Sequence, residues 1–360
     1  MAIKRHLFPI VVWITLFFVV ASAVLVGLLA FAVKAPYKGY AAESVLVRIP
    51  PHSPTVAILA ALEQGGVIRD RRLALITLKV LHRGRTLKAG EYRFAGPRSV
   101  EQVVLSIAAG DVVTYRVTVP EGFTADEVFS LFTSQGFGAE SECQSLFTRA
   151  GEFDGVPKGA PTLEGFLFPD TYTVTRSMGT REIITMMTRQ FHRRLPKGYE
   201  DSARRRGLSV LQAATLASLI EKETALTSER EVVSAVYWNR LKRGMLLQCD
   251  PTTIYALKLL HTWRGGLARS ELTVAHPYNT YVNPGLPPGP ICNPGLASLR
   301  AALAPADVPH LFFVAAGDGS HFFSTDYEDQ QKNIVKYREA QRTAREAEKA
   351  EKAEAAPAIP

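Results

Sequence analysis

The sequence predicts an α+β protein with an N-terminal transmembrane helix, a small α/β module and a larger mixed α+β domain. Three observations predict this order: a long charge-free apolar run, then short β-branched stretches alternating with capped helices, then dense polar and Pro/Gly clusters. With 360 residues, 47% of them hydrophobic and 21% charged, the chain can form more than one hydrophobic core. This composition excludes the disordered and fibrous classes.

The first element is the apolar run over residues 7–33, which contains no charged side chain. A helix of that length exceeds the ~30 Å hydrocarbon thickness of a bilayer. Residues 21–23, Ala-Ser-Ala, are typical of a signal-peptidase site, but the apolar run continues beyond them, which favours an uncleaved anchor. Basic residues flank both ends, so they do not orient the helix. The short tail at residues 1–6 predicts a cytoplasmic N-terminus, a single pass through the cell (inner) membrane and an extracytoplasmic body.

The α/β module follows a linker at residues 34–43 and extends over residues 44–120. Alternating β-branched residues predict its strands, and Ser or Pro at the start and Gly at the end delimit most of its helices. The predicted elements are strand Ser44–Ile49, a helix from the N-cap Ser53, with Pro54 in its first turn, to Gly65, a helix over Arg71–His82, strand Glu91–Phe94, a helix from the N-cap Ser99 to Gly110, and strand Val112–Val119.

The larger domain covers residues 121–330, and a charged Ala-rich tail covers residues 331–360. Within the domain, Ser209 and Gln212 have the spacing of a capping box, which predicts a helix from Ser209 to Thr224. At about 100° per residue, its bulky residues fall on one side, which we expect to face the core. These residues are Leu216, Leu219 and Ile220. A second capping box at Ser228–Glu231 predicts another helix, ending at Gly244.

Glu221 is the candidate catalytic residue of the first helix. On the helical wheel it falls beside Val210, Ala214 and Ala217, mostly small residues that leave room for the floor of a groove. Partial burial there favours the protonated carboxyl, the form that can protonate a glycosidic oxygen. Glu223 falls beside the bulky residues and is predicted to be a supporting hydrogen-bond partner.

Polar and aromatic side chains in two later segments are candidates for a sugar-binding groove, since aromatic faces stack on pyranose rings and amides bind hydroxyls. An equally open interpretation is a structural Pro/Gly loop. The candidates are Gln248, Asp250, Thr252, Tyr255, Tyr278, Asn279, Thr280 and Tyr281, with Glu164 and His321 as further supporting residues.

Several motifs together resemble the YceG-like family, the endolytic murein transglycosylases. The resemblance spans nearly the whole chain. Its motifs are Glu164-Gly-Phe-Leu-Phe-Pro-Asp-Thr-Tyr172, Ala217-Ser-Leu-Ile-Glu-Lys-Glu-Thr224, Ser228-Glu-Arg230, Asn239-Arg240, Leu247-Gln-Cys-Asp-Pro-Thr252, Tyr278-Asn-Thr-Tyr281, Gly285-Leu-Pro-Pro-Gly-Pro290 and His321-Phe-Phe.

This resemblance implies one membrane helix, a LysM-like region and a lytic domain whose single essential Glu falls on Glu221. Residues 44–95 also resemble a LysM-type module, which binds N-acetylglucosamine polymers; a plain packing domain is the alternative. The implied enzyme is a carbon–oxygen lyase that cuts the MurNAc-β-1,4-GlcNAc bond of nascent peptidoglycan strands. It leaves 1,6-anhydro-MurNAc ends and terminates elongation. No cofactor or metal is implied.

Two alternatives remain open from the residues. The first is a hydrolytic muramidase with Asp250 as the second carboxylate, because ordinary glycosidases use two. The second is a non-enzymatic peptidoglycan-binding scaffold. The expected partners are glycan strands, the membrane through the N-terminal helix, and peptidoglycan synthases. Nucleic acid is not an expected partner despite the net charge of +8, since export removes that ligand.

Overall fold

A computed structural model of the chain describes residues 4–354. Residues 1–3 of the predicted cytoplasmic tail and residues 355–360 of the predicted C-terminal tail lie outside the described residues. The predicted anchor is helix α1, Lys4–Lys34. Its segment Ile10–Lys34 is long and apolar enough to cross a membrane, and its large apolar side chains are mostly exposed. This helix is therefore consistent with membrane anchoring.

The described chain divides into two compact units. One comprises residues 1–115 with 173–178, and the other comprises residues 116–172 with 179–360. The sequence predicts a domain boundary after residue 120. In the structure, the chain first passes from one unit to the other after Tyr115, and the first unit also includes the short segment 173–178 from later in the chain. The strands at these crossings, β3 (Tyr115–Thr118) and β4 (Thr171–Val174), pair as a two-stranded sheet.

The first unit has the order strand, helix, helix, strand, helix after α1. Antiparallel strands β1 and β2 pair from Ser44 with Ala95 to Ile49 with Gly90. The remaining elements are α2 and α3, a π-helical turn at Thr77–Leu81, and α4, whose N-cap Ser99 forms a capping box with Gln102. The bounds are β1 Ser44–Ile49, α2 Thr55–Gln64, α3 Arg71–Ile76, β2 Gly90–Ala95 and α4 Val100–Ala109. Pro54 occupies the N-cap of α2, so the expected Ser53 cap is wrong.

The second unit is mainly helical and contains a β-hairpin before its last helix. Strands β5 and β6 pair antiparallel from Phe312 with Ser324 to Ala315 with His321. The bounds are α5 Ala125–Ser134, α6 Glu140–Phe147, α7 Thr180–Arg194, α8 Tyr199–Arg205, α9 Val210–Glu223, α10 Arg230–Lys242, α11 Asp250–Leu259, α12 Leu296–Leu303, β5 Phe312–Ala315, β6 His321–Ser324 and α13 Tyr327–Glu354.

Helix α9 lies at the centre of the second unit's core. The predicted Ser209–Gln212 capping box is present at its start. Every residue from Ala213 to Ile220 is buried, so the predicted core side is correct, but the rest of the circumference is covered as well. Helix α12 packs against α9. Ala214 and Ala217 are fully buried, so these small residues do not form the floor of an open groove; they belong to the packed core.

Helix α10 begins differently from its prediction. A short 3₁₀ turn covers Thr227–Glu229, and the α-helix starts at Arg230 with Glu229 at the N-cap and no side-chain cap. The predicted capping box at Ser228–Glu231 is therefore wrong. The change has a structural consequence, because it places the Arg230 side chain at the helix start within reach of the end of α9.

Candidate active site

The Glu221 carboxylate lies near the C-terminal end of α9 and is held by two donors. Arg230 Nη2 donates to Glu221 Oε1 at 3.1 Å, and the backbone N–H of Gly295, the N-cap of α12, donates to Oε2 at 2.9 Å. The Glu221 and Arg230 side chains are only 6% and 8% exposed. Charge-assisted hydrogen bonds of this kind fix the geometry of the carboxyl group.

A second carboxyl group, Glu121, shares the same guanidinium. Its Oε2 lies 3.8 Å from Arg230 Nη2, the nitrogen that also donates to Glu221. Burial raises the pKa of Glu121, the negative charge of Glu221 raises it further, and Arg230 partly offsets both. Two acidic groups and one arginine therefore form a cluster at the end of α9.

Two glycines permit this close approach. A Cβ on Gly295 would lie 2.0 Å from the carboxyl carbon of Glu121, so only glycine leaves that space to the carboxyl group. Gly122 has a φ of +76°, which L side chains rarely adopt, and its Cβ position would lie 3.6 Å from Glu221 Cγ. The backbone of the Glu121 turn thus runs directly past the Glu221 side chain.

The loop at residues 291–295 is fastened to both sides of this cluster. The Ile291 N–H donates to Ser218 Oγ of α9 at 3.0 Å. Asn293 exchanges backbone hydrogen bonds with the Glu121 turn, accepting from Gly122 N–H and donating to Phe123 O. Its side-chain amide also donates to Phe123 O and accepts from Leu167 N–H. Asn293 therefore positions Glu121 relative to α9.

The sequence interpretation missed Glu121, Arg230 and Gly295 as members of the site. Arg230 lies inside the motif Ser228-Glu-Arg230 that carries part of the family resemblance, Gly295 lies five residues after the motif that ends at Pro290, and Glu121 lies two residues after the predicted strand ending at Val119. These positions were the only indication in the sequence that the three residues belong to the site. The sequence could not show that Glu121 lies near Glu221, since the two are far apart along the chain.

Glu223 lies in a separate hydrogen-bonded group beside Glu221. Tyr237 OH donates to Glu223 Oε1 at 2.6 Å, and burial raises the pKa of Glu223. Glu223 thus forms a hydrogen bond within the protein, and its supporting role in the site stays a prediction. Asp250 accepts a hydrogen bond from Tyr281 OH. Gln248 is exposed with a φ of 48°, and its N–H donates to Thr280 O, so it lies at the open edge of this group.

Three of the predicted sugar-binding side chains are satisfied within the protein. Thr252, Asn279 and Thr280 are all 0–1% exposed. Thr252 and Thr280 hydroxyls lie 2.9 Å apart, and the Asn279 amide donates to two backbone carbonyls. His321 is similarly occupied, since its Nδ1 lies 2.7 Å from Glu229 Oε2 and its N–H donates to Oε1. In this structure these groups organise loops.

Glu164 lines a cavity separate from the Glu221 cluster. The cavity has a volume of about 660 Å³, and its lining includes Phe129, Tyr255 and Trp263. Glu164 accepts hydrogen bonds from Ala125 N–H at 2.9 Å and from Tyr255 OH at 3.1 Å. Burial raises the pKa of Glu164 to about 8, against the lowering effect of these bonds. Tyr255 in turn packs on Tyr278, with ring centroids 4.9 Å apart.

The described part of the chain contains free cysteines and no cluster of metal-ligating side chains. Cys143, Cys249 and Cys292 are free and buried. Residues 4–354 contain no group of three or more His, Cys, Asp or Glu side chains placed to hold a metal ion.

Comparisons with known proteins agree on one family. The model of the YceG-like family matches residues 47–336. The endolytic murein transglycosylase of Bacillus subtilis (strain 168) is 27% identical over 311 residues, covering 82% of this chain and 85% of that protein. A protein of the same name from Streptococcus pneumoniae (strain D39) is also 27% identical, covering 84% of this chain but only 60% of that relative. A crystal structure of a yceG-like protein from Listeria monocytogenes matches with a TM-score of 0.50 and 31% identity, covering 81% of this chain and 98% of that one.

Proposed function

The chain belongs to the YceG-like family and is a lytic transglycosylase acting on peptidoglycan, and we propose that Glu221 is its catalytic acid and base. The observation that carries this assignment is the position of the carboxylate at the end of α9, held by Arg230 and by the Gly295 N–H. Positioned acid–base groups contribute roughly 10²–10⁴-fold to such reactions.

In the proposed reaction, protonated Glu221 donates its proton to the oxygen of the MurNAc-β-1,4-GlcNAc bond, and the bond from C1 to that oxygen breaks. The resulting carboxylate is stabilised by Arg230 and the Gly295 N–H. It then accepts the proton of the MurNAc C6 hydroxyl, and O6 closes onto C1. The products are a free GlcNAc 4-hydroxyl and a 1,6-anhydro-MurNAc end, and no water is consumed.

Substrate contacts are proposed for the accessible members of the predicted set. Gln248 and Asp250 are exposed and Tyr281 is partly exposed, so their amide, carboxylate and phenol groups can bind sugar hydroxyls. Thr252, Asn279 and Thr280 are proposed to hold the loops that present them.

The N-terminal region is proposed to place the enzyme at the membrane. Helix α1 anchors the chain in the cell membrane with its N-terminus in the cytoplasm, and the region 44–120 binds glycan as a LysM-like module. An anchored site reaches only strands near the membrane, so the proposed substrate is the nascent strand. Its cleavage terminates elongation beside a peptidoglycan synthase.

The deciding experiment is digestion of purified sacculi by the wild-type chain and by Glu221→Gln, read by mass spectrometry. We expect anhydro ends from the wild type and a loss of at least about 100-fold in the variant. The matched control is Glu152→Gln, an exposed carboxyl that also pairs with arginine but lies outside the site. A Glu221→Gln variant with undiminished cleavage excludes the catalytic assignment, and one that folds, binds and no longer cuts excludes the scaffold.

A hydrolytic muramidase is the second candidate, because the structure brings two carboxyl groups to Arg230. The second carboxyl is Glu121, whereas Asp250 is engaged by Tyr281. Reducing MurNAc ends in the same digest indicate hydrolysis in place of lytic cleavage.

A further inference from the structure

We propose that the cavity lined by Glu164, Tyr255 and Trp263 binds an N-acetylhexosamine unit of the glycan strand, with the Glu164–Tyr255 pair donating a hydrogen bond to the sugar. This inference rests on the proposed function, since the ligand is a sugar of the strand that Glu221 is proposed to cut. Its geometric basis is the cavity itself, whose volume of about 660 Å³ lies in the usual range of sites for small ligands.

Aromatic rings form the walls of the cavity and are held in place by their neighbours. Phe129 meets Phe147 edge to face, with ring centroids 6.4 Å apart, and Tyr255 packs on Tyr278 at 4.9 Å. Trp263 lines the same cavity and is partly exposed. Aromatic faces suit the apolar faces of pyranose rings. Because these rings are packed against other side chains, they lose little conformational freedom when a sugar binds.

The Glu164 carboxyl and the Tyr255 phenol together have a hydrogen-bond donor to spare. Burial raises the pKa of Glu164 to about 8, so the carboxyl is mostly protonated at pH 7. Its Oε1 accepts from Ala125 N–H, and its Oε2 lies 3.1 Å from Tyr255 OH. The two groups then carry two O–H protons but share one hydrogen bond, so one O–H is left over in either orientation. The oxygen of a sugar hydroxyl or acetamide group in the cavity can accept it.

The charged side chains lie at the exposed edge of the cavity, where most of them have partners. Lys258 Nζ lies 3.2 Å from Glu127 Oε1, and the two side chains are 42% and 41% exposed. Asp126 is exposed and accepts a hydrogen bond from the Gln144 amide. Aromatic walls, a protonated Glu164 and paired charges suit an uncharged ligand. This favours a sugar over the charged stem peptide.

The cavity also lies close to the proposed catalytic acid. A Cβ on Gly122 would lie 3.6 Å from Glu221 Cγ, and Thr124, two residues later, lines the cavity. Two residues span at most about 7 Å between their Cα atoms. A strand bound at Glu221 can therefore place a neighbouring sugar in the cavity, which would hold the strand beside the bond to be cut.

The test follows Trp263 by fluorine NMR in the full-length, detergent-solubilised chain labelled with fluorotryptophan. The sequence contains three tryptophans, and Trp263→Phe identifies the resonance of this one. None of the three lies within residues 44–120, so glycan bound by that region has no reporter there. The probe is chitotetraose, an uncharged tetramer of N-acetylglucosamine. We expect a saturable shift of the Trp263 resonance at pH 7.

The affinity for chitotetraose should fall about tenfold from pH 7 to pH 9. The protonated fraction of a group with a pKa of about 8 falls by that factor, and the ionised carboxylate binds the Tyr255 proton that the sugar would otherwise accept. Glu164→Gln keeps a donor at every pH and should bind equally at both. The matched control is Glu152→Gln, an exposed carboxyl outside the cavity, which should keep the wild-type loss.

Other titratable groups surround Glu164, and Glu164→Gln separates their ionisation from its own. The pKa of Glu127 on α5 stays below its usual range, because a backbone hydrogen bond and Lys258 outweigh burial. Three neighbours stay protonated between pH 7 and pH 9 because burial raises their pKa. They are Tyr255 on α11, Tyr278 and Cys292. The remaining charged or titratable groups of the lining are Asp126, Lys258 and His261.

Four outcomes overturn the inference. They are a Trp263 resonance that chitotetraose does not shift, a resonance that responds only to a free stem peptide, a wild-type affinity that is equal at pH 7 and pH 9, and a Glu164→Gln variant that keeps the wild-type loss. The wild-type comparison decides the matter if Glu164→Gln does not fold.

The Glu221→Gln variant distinguishes this inference from the proposed function. It should shift the Trp263 resonance as the wild type does, because Glu221 does not line the cavity. An inactive Glu221→Gln together with a wild-type Trp263 resonance that does not respond rejects the inference and leaves the proposed function intact. An active Glu221→Gln whose Trp263 resonance responds rejects the catalytic assignment and leaves the sugar site.

Discussion

Replacing Arg230 by methionine tests how much the buried ion pair between Arg230 and Glu221 contributes to the free energy of unfolding. The substitution keeps much of the apolar length of the side chain and removes the charge. Among the described residues, the Gly295 N–H then remains as the hydrogen-bond donor to Glu221, which is 6% exposed. Breaking a buried pair in this way costs about 3–5 kcal/mol, since one uncompensated charge stays out of water. We expect a loss of that size in the free energy of unfolding at pH 7.

The assay is urea unfolding of the detergent-solubilised chain, followed by tryptophan fluorescence. The exposed pair between Arg204 and Glu200, with side chains 71% and 74% exposed, supplies the control, and Arg204→Met should cost no more than about 1 kcal/mol. Adding Glu221→Gln to Arg230→Met should restore part of the stability, because the stranded carboxylate is gone. A loss below about 1 kcal/mol for Arg230→Met, or no restoration in the double variant, refutes the reasoning.

Three further predictions concern stability around the site. Because the pKa of Glu164 is raised from 4.5 to about 8, its protonated form stabilises the fold at low pH and that stability is lost as pH rises through 8; Glu164→Gln should therefore match the wild type near pH 4 and exceed it by about 2–4 kcal/mol at pH 9 in urea unfolding. Ser209→Ala removes the cap of α9 and should cost about 1 kcal/mol, seen as a lower melting temperature with unchanged cleavage products. Thr280→Val leaves the buried Cys249 N–H without the hydroxyl that accepts its hydrogen bond and should cost about 1–3 kcal/mol, whereas Thr280→Ser, which keeps the hydroxyl, should cost less in the same melts.

Local patterns predicted the secondary structure best where a short-range interaction defines it. Strand β1 matches its predicted bounds, and the caps at Ser99 and Ser209 start α4 and α9 as expected. The cap predicted at Ser228 failed although its sequence has the same pattern. There the chain forms a 3₁₀ turn, and Glu229 bonds Thr224 and His321 in place of capping the helix. Tertiary partners outcompeted the local motif.

Local sequence patterns predicted only part of the candidate site. The helical wheel correctly placed Leu216 and Ile220 in the core and separated Glu221 from Glu223. It could not show that Ala214 and Ala217 are fully buried, because a strip of small residues suits both an open groove and a closely packed core. Burial of α9 depends on elements distant in sequence, among them α12, which packs against α9 from much later in the chain.

By itself, then, the sequence determined the apolar N-terminal helix, the capped helix α9 with its acidic end, and the motifs of the family, since these depend on hydrophobic runs and on interactions between residues a few positions apart. Only the tertiary structure decided what surrounds Glu221. Glu121, Arg230 and Gly295 meet there from three separate segments, and the buried hydrogen bonds of Asn293 and Ser218 hold those segments together. Contacts between residues so far apart in sequence leave no periodic signal, because they depend on packing and not on local backbone geometry.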